Sequence, residues 1–152
     1  GITVHAGEMA GPESIAEAVR AADPTRIGHG LHLIDDCVVS EGRIVSLGEV
    51  AHTVHDSQMM LEVCVTSNSC LGTPIPQHPV RLLCDAGFRV SVNPDDRAIT
   101  TTTVGREYEL WRDVHGFTDA EFADINLAAV EAAFCDSDTK RRLHAVVAAG
   151  WR

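Results

Sequence analysis

Three observations predict an α/β chain built on a parallel sheet. Three short apolar or β-branched runs, Ile2 to Val4, Met60 to Val65 and Phe88 to Val92, and a segment ending in a glycine-flanked histidine, Arg26 to Gly30, alternate with stretches that carry helix signals. Residues able to do chemistry stand at the ends of these segments: His5 and Glu8, then His29, then Asp95 and Asp96. From Thr100 onward the pattern is helical to the end. In an α/β barrel, the C-terminal ends of the strands are the functional face.

The first run continues through His5 and a small-residue turn, Ala6-Gly7, to Glu8. It reads as a buried parallel strand that delivers both side chains to its C-terminal end. In the next segment Ile15, Ala18, Val19 and Ala22 share one helical face; Pro12 suits the first turn and Pro24 ends it. Arg26 to Gly30 reads as a strand whose glycine-flanked His29 is brought close to a ligand, and equally as a loop with a surface histidine. Leu31 to Leu47, with Asp35-Asp36 and Ser40-Glu41-Gly42, has little periodicity and predicts a hairpin or surface excursion. Gly48 to Gln58 is helical with Val50, Ala51 and Val54 inward. His52 and His55 there are spaced to share a metal, but they lie far from other ligand candidates and read as solvent-facing.

Met60 to Val65 is the third strand, and Thr66-Ser67-Asn68 at its end either bind a polar ligand or cap a turn. His78-Pro79 opens a helix to Asp85 that Gly87 stops. The fourth strand, Phe88 to Val92, runs into Asn93-Pro94-Asp95-Asp96-Arg97. Thr100 to His115 is helical and carries Val104, Tyr108, Leu110 and Trp111. Thr118-Asp119-Ala120-Glu121 is a capping box for a helix reaching Phe134, and Asp138 to Ala149 closes on Gly150-Trp151.

The 152 residues, 45% of them apolar, suffice for one domain with a core. With 22 acidic against 12 basic side chains the net charge is −10 at pH 7, a surface that repels phosphate backbones and anionic lipids. Neither nucleic acid nor a membrane is therefore an expected partner. The sequence shows no signal-peptide pattern and no apolar run on the order of 18 residues, so a cytoplasmic protein is expected. Cys37, Cys64, Cys70, Cys84 and Cys135 form no C-x-x-C pair and read as reduced thiols. Gly1 stands in what reads as the middle of a strand, which predicts a piece of a longer protein.

His5 can ligate a metal, and Glu8 is placed to handle a proton. Asp95 and Asp96 are adjacent like charges; a metal on one and a hydrogen-bond donor on the other relieves their repulsion, although an exposed acidic loop is the plainer reading out of context. Imidazole and carboxylate together suit a catalytic zinc with an open position for water, an acid such as Glu8 and a base such as His29. That combination points to metal-assisted hydrolysis.

His5-Ala6-Gly7-Glu8, Arg26-Ile27-Gly28-His29-Gly30, Leu61-Glu62-Val63-Cys64-Val65-Thr66-Ser67-Asn68 and Ser91-Val92-Asn93-Pro94-Asp95-Asp96 resemble, in order and spacing, the adenosine deaminase family. The resemblance covers essentially the whole chain. It implies the C-terminal half of a (β/α)8 TIM-type barrel, strands five to eight with closing C-terminal helices. Residues 1–152 would then be a single partial domain that lacks the N-terminal half. By the same resemblance His5 is a histidine ligand of the zinc (Zn2+, one per complete site) and Asp95 its carboxylate ligand. Glu8 protonates N1 of the purine, His29 accepts the proton of the attacking water, and Asp96 hydrogen-bonds N7. The implied reaction is hydrolysis of adenosine or 2′-deoxyadenosine, a purine nucleoside, to the inosine product and ammonia. This is not the cytidine-deaminase type of zinc site, whose P-C-x-x-C pair is absent.

The chain departs from the family pattern in ways that bear on function. The His-x-His pair that supplies two further zinc ligands is missing, and so are the upstream glycine and the apolar lid over the base. Val65, Pro94 and Arg97 differ from the commoner residues at their positions. The chain by itself is therefore expected to be inactive, with open sheet edges that favour aggregation or pairing with the missing half. Two alternatives stand beside adenosine: a deaminase of another amino-purine such as adenine, and a non-catalytic half-barrel that binds a partner.

Overall fold

The structure, a computed structural model, describes residues 1–150. Its centre is a four-stranded parallel sheet in the order β1 (Thr3–Ala6), β2 (Arg26–His29), β5 (Met60–Val63), β6 (Arg89–Val92). Register runs His5 opposite Gly28 opposite Glu62, and Glu62 opposite Ser91, so the C-terminal ends of all four strands come level on one face. Four parallel strands with helical connections are half of a (β/α)8 barrel, and the expected fold class is the observed one.

β2 and β5 are the inner strands. Ile27, Leu61 and Val63 are fully buried there, each side chain contributing roughly 1.5–3 kcal/mol by leaving water. Helix α1 (Pro12–Ala22) begins on its proline and packs Ile15 and Ala18 inward, and Asp23 closes it in a left-handed conformation, φ 44°. The segment read as a hairpin or surface excursion starts with a short 3-10 helix, Leu31–Asp36, and continues as a hairpin, β3 (Cys37–Ser40) and β4 (Arg43–Leu47). Its two-residue turn, Glu41-Gly42, has φ of 51° and 72°, the pair of positive values that matches the twist of the flanking strands. Helix α2 (Glu49–Asp56) buries Ala51 and Val54 as the pattern predicts.

The third expected strand is shorter than read. β5 ends at Val63, and Val65–Cys70 is helix α3. A continuous apolar run carries no period that separates a buried strand from a buried helix turn, and Val65 is fully buried in either case. The helix form is favoured from a distance: the buried carboxylate of Glu107 accepts the Thr66 backbone N–H at 3.3 Å and the Thr102 hydroxyl at 3.0 Å. After α4 (Val80–Asp85) and β6, the helix expected from Thr100 to His115 begins later, at Val104, and a separate short helix precedes it. α5 (Arg97–Thr100) stops where Thr101 turns left-handed, φ 52°, and Thr103 caps a new helix, α6 (Val104–His115).

The capping box of α7 (Asp119–Ala132) forms as predicted, with Thr118 and Glu121 exchanging hydrogen bonds. Arg89 ties α7 to β6 by donating to the Ala128 carbonyl at 2.9 Å, and Trp111, Phe117 and Phe122 stack in series between α6 and α7. α8 (Ser137–Gly150) completes the fold; Trp151, expected to close it, lies outside the described residues. Among the described residues no helix is long and apolar enough to cross a membrane.

Candidate active site

The level strand ends bring together residues that are distant in sequence. His5 leaves β1 with its ring lying over β2, which Gly28 permits: a Cβ at position 28 would stand 3.2 Å from His5 Cγ and 3.3 Å from its Cα. His29, 2% exposed, ends β2 with φ 67°, and Asp95 follows β6 with φ 57°. Left-handed backbone at non-glycine residues costs about 1–3 kcal/mol each, and its clustering at one site is typical of functional geometry. The two imidazoles are 5.1 Å apart, and ligand atoms of His5, His29 and Asp95 all lie within 4.8 Å of one another. Glu8 joins them, its Oε1 3.3 Å from His29 Nε2.

Helix α3 supports this cluster from behind. The Ser67 hydroxyl donates to Asp95 Oδ2 at 2.6 Å. That bond holds the Asp95 carboxyl below its usual pKa, with His29 adding to the effect and partial burial opposing it. Asn68, fully buried, sits between two histidines, 3.2 Å from His29 Nδ1 and 3.1 Å from His78 Nε2. Burial pushes the His29 pKa down; the charges of Glu8 and Asp95 push it up, and burial prevails. Of Thr66-Ser67-Asn68, read as ligand contacts or a turn cap, Ser67 and Asn68 are thus braces for Asp95 and His29, while Thr66 donates its backbone N–H to Glu107. His78 was read only as a helix opener. Its connection to His29 runs through Asn68, 39 residues from His29, and no local pattern in the sequence encodes a contact at that separation.

The remaining residues divide clearly. Asp96 caps α5, with Oδ1 accepting from the Ala98 and Ile99 backbone N–H groups at 2.9 and 3.3 Å. Glu62 pairs with Arg26 at 3.1 Å and accepts from the Thr3 hydroxyl at 2.6 Å. His5, His29, Glu62, Cys64, Asp95 and Asp96 line a cleft of about 500 Å³, where burial pushes the Cys64 thiol pKa up and keeps it protonated. His52 is exposed and His55 pairs with Asp56 at 3.1 Å; both stay apart from the cluster, as their reading as solvent-facing residues anticipated. All five cysteines are free thiols.

The donor set fits a zinc ion. Imidazole nitrogen and carboxylate oxygen are its usual hard-to-borderline ligands, and they converge here on an open cleft rather than a closed cage. His5 and Asp95, the expected ligands, are two of the three residues in the cluster. His29, expected beside the metal, is the third.

Comparison with known proteins agrees with the geometry. Residues 1–149 match the family described as adenosine deaminase. A protein named adenine deaminase from Agrobacterium fabrum is 42% identical over 145 residues, which are 94% of this chain and 41% of that protein. Among solved structures, adenine deaminase from Arthrobacter aurescens superposes with a TM-score of 0.85 at 26% identity, covering 97% of this chain and 42% of that one. An amidohydrolase from Burkholderia ambifaria with bound Zn shares the fold, with a TM-score of 0.81 at 24% identity over 98% of this chain and 40% of that one. The chain thus spans about two fifths of the length of the relatives it matches. With a family match over nearly every residue and the motif residues gathered at one strand-end cleft, the chain belongs to the adenosine deaminase family.

Proposed function

We propose that this chain supplies the C-terminal half of the active site of a hydrolytic purine deaminase, and that the substrate is adenine, converted to hypoxanthine and ammonia. The observation that carries the reading is the convergence of His5, His29 and Asp95 on one cleft, with Glu8 Oε1 3.3 Å from His29 Nε2. The preference for adenine over adenosine follows the relatives, since proteins named adenine deaminase match at 42% identity in sequence and at a TM-score of 0.85 in structure.

His5 and Asp95 hold the metal, with further ligands from the N-terminal half of the barrel. When bound, a zinc ion supplies the Lewis acidity that brings a water within reach of deprotonation near neutral pH. The chain's own groups do the rest. Ser67 keeps Asp95 ionised and oriented for the cation. Glu8 delivers a proton to N1 of the purine, which draws electron density from C6 and opens it to attack. Asp96, fixed by its capping bonds, holds N7, and the two acidic residues thereby orient the ring across the cleft. The five free thiols support a reducing, cytoplasmic setting.

Ultraviolet initial rates on adenine and on adenosine, measured with the complete protein and zinc, test the assignment. Faster kcat/KM on adenine is expected; a clear preference for adenosine would return the substrate to the nucleoside.

A further inference from the structure

A buried three-residue chain behind the metal cluster determines which nitrogen of His29 carries its proton. The chain is anchored in the backbone: the Val80 N–H donates to His78 Nδ1 at 3.2 Å, so a neutral His78 carries its proton on Nε2. That Nε2–H donates to Asn68 Oδ1 at 3.1 Å. The Asn68 amide is then committed, and its Nδ2–H donates to His29 Nδ1 at 3.2 Å. His29 Nδ1 is therefore an acceptor, and the neutral ring keeps its proton on Nε2, the nitrogen that faces Glu8 Oε1 at 3.3 Å and Asp95 Oδ2 at 3.8 Å. Reversing the Asn68 amide would set its Nδ2–H against the His78 Nε2–H, two donors face to face, because the Val80 N–H fixes the polarity of His78. All three residues are at most 4% exposed, so no water relieves such a clash cheaply.

We propose, on the deaminase reading above, that Asn68 and His78 are positioning residues that hold His29 as its Nε2–H tautomer, so that His29 meets the attacking oxygen as a hydrogen-bond donor rather than as a proton acceptor. The same polarity keeps His29 out of metal coordination. A ligating nitrogen must be bare, and a metal-bound histidine donates its other N–H outward, whereas here the outward nitrogen faces a donor. The proton of the attacking water then goes to Glu8, a carboxylate once it has protonated N1: the water's O–H bond breaks, and Glu8 takes the proton and passes it to the C6 amino group. The C6–N bond breaks as ammonia leaves, and the proton of the new C6 hydroxyl returns to Glu8 as the carbonyl forms. His29 contributes a fixed donor aimed at developing negative charge.

Histidine-selective 15N NMR of the complete, zinc-loaded protein reads the tautomer directly. The expected spectrum shows His29 with bare Nδ1 and protonated Nε2. Asn68→Asp, whose carboxylate accepts from both neighbours, is expected to move the proton to Nδ1 and to lower kcat about 10–100-fold with KM little changed. His78→Gln, which places an amide N–H where the imidazole N–H was, is expected to retain the wild-type tautomer. A bare His29 Nε2 in the wild-type protein, or a tautomer that Asn68→Asp leaves unmoved, overturns the proposal. The spectra need no substrate, so absence of adenine turnover would count against the deaminase reading and leave the tautomer assignment standing.

Discussion

The hydroxyl of Ser67 is a small group with a defined task. It donates to Asp95 Oδ2 at 2.6 Å, and on the proposed function its loss removes the orientation of a metal-binding carboxylate. Ser67→Ala is expected to weaken zinc affinity about 10-fold in the complete protein, measured by competition with a chelator; unchanged affinity would show that Asp95 needs no brace. His78 carries a second residue-level consequence. Burial, helped by the neighbouring His115 and His29 imidazoles, pushes its pKa down to about 3, while the unfolded ring titrates at its ordinary 6.5. Between those values the unfolded chain binds more protons than the folded one. This contribution to stability is full above pH 6.5 and is lost as pH falls toward 3, by up to about 1.4 kcal/mol per pH unit. Urea denaturation at pH 7 and pH 5.5 should therefore show a smaller acid loss in His78→Gln than in the wild type. Equal losses would mean that His78 is charged in the fold.

His5, Glu8, Asp95 and Asp96 stand just past apolar runs in the sequence and His29 stands between glycines, so their place at strand ends was legible, and the family resemblance singled them out. Their supports were not. Ser67 and Asn68 were visible as polar residues at the right place, but their partners lie 28 and 39 residues away, and such pairings leave no periodic trace.

Elements with local signals formed where the sequence put them. Pro12 opens α1, Glu41-Gly42 turns the hairpin, and Thr118 with Glu121 begins α7. Each is determined within a few residues by backbone sterics or a cap. The two departures, α3 in place of a longer strand and the break at Thr101, depend on tertiary partners instead; Glu107 satisfies the start of α3 from 41 residues away. The capping box gives a quantitative check. Thr118→Ala removes the acceptor for the Glu121 N–H and is expected to cost about 1 kcal/mol, read as a lowered denaturation midpoint with an unchanged slope. A variant as stable as the wild type would place the start of α7 under packing control from Phe122 rather than its cap.

At the scale of the whole molecule, a four-stranded parallel sheet with β1 and β6 at its edges brings its strand ends level on one face. On the proposed function the chain would contribute the residues that protonate and orient the purine, together with His5 and Asp95 for the metal, and the relatives are more than twice its length. On the proposed function Glu8 moves the proton on which the reaction depends, at a metal held independently of it. Deamination of adenine by Glu8→Gln, assayed in the complete protein alongside its zinc content, separates the two roles. The expected outcome is a kcat lowered at least about 100-fold with one zinc per site retained. Wild-type turnover in Glu8→Gln would contradict it and move the proton chemistry to another residue of the cleft.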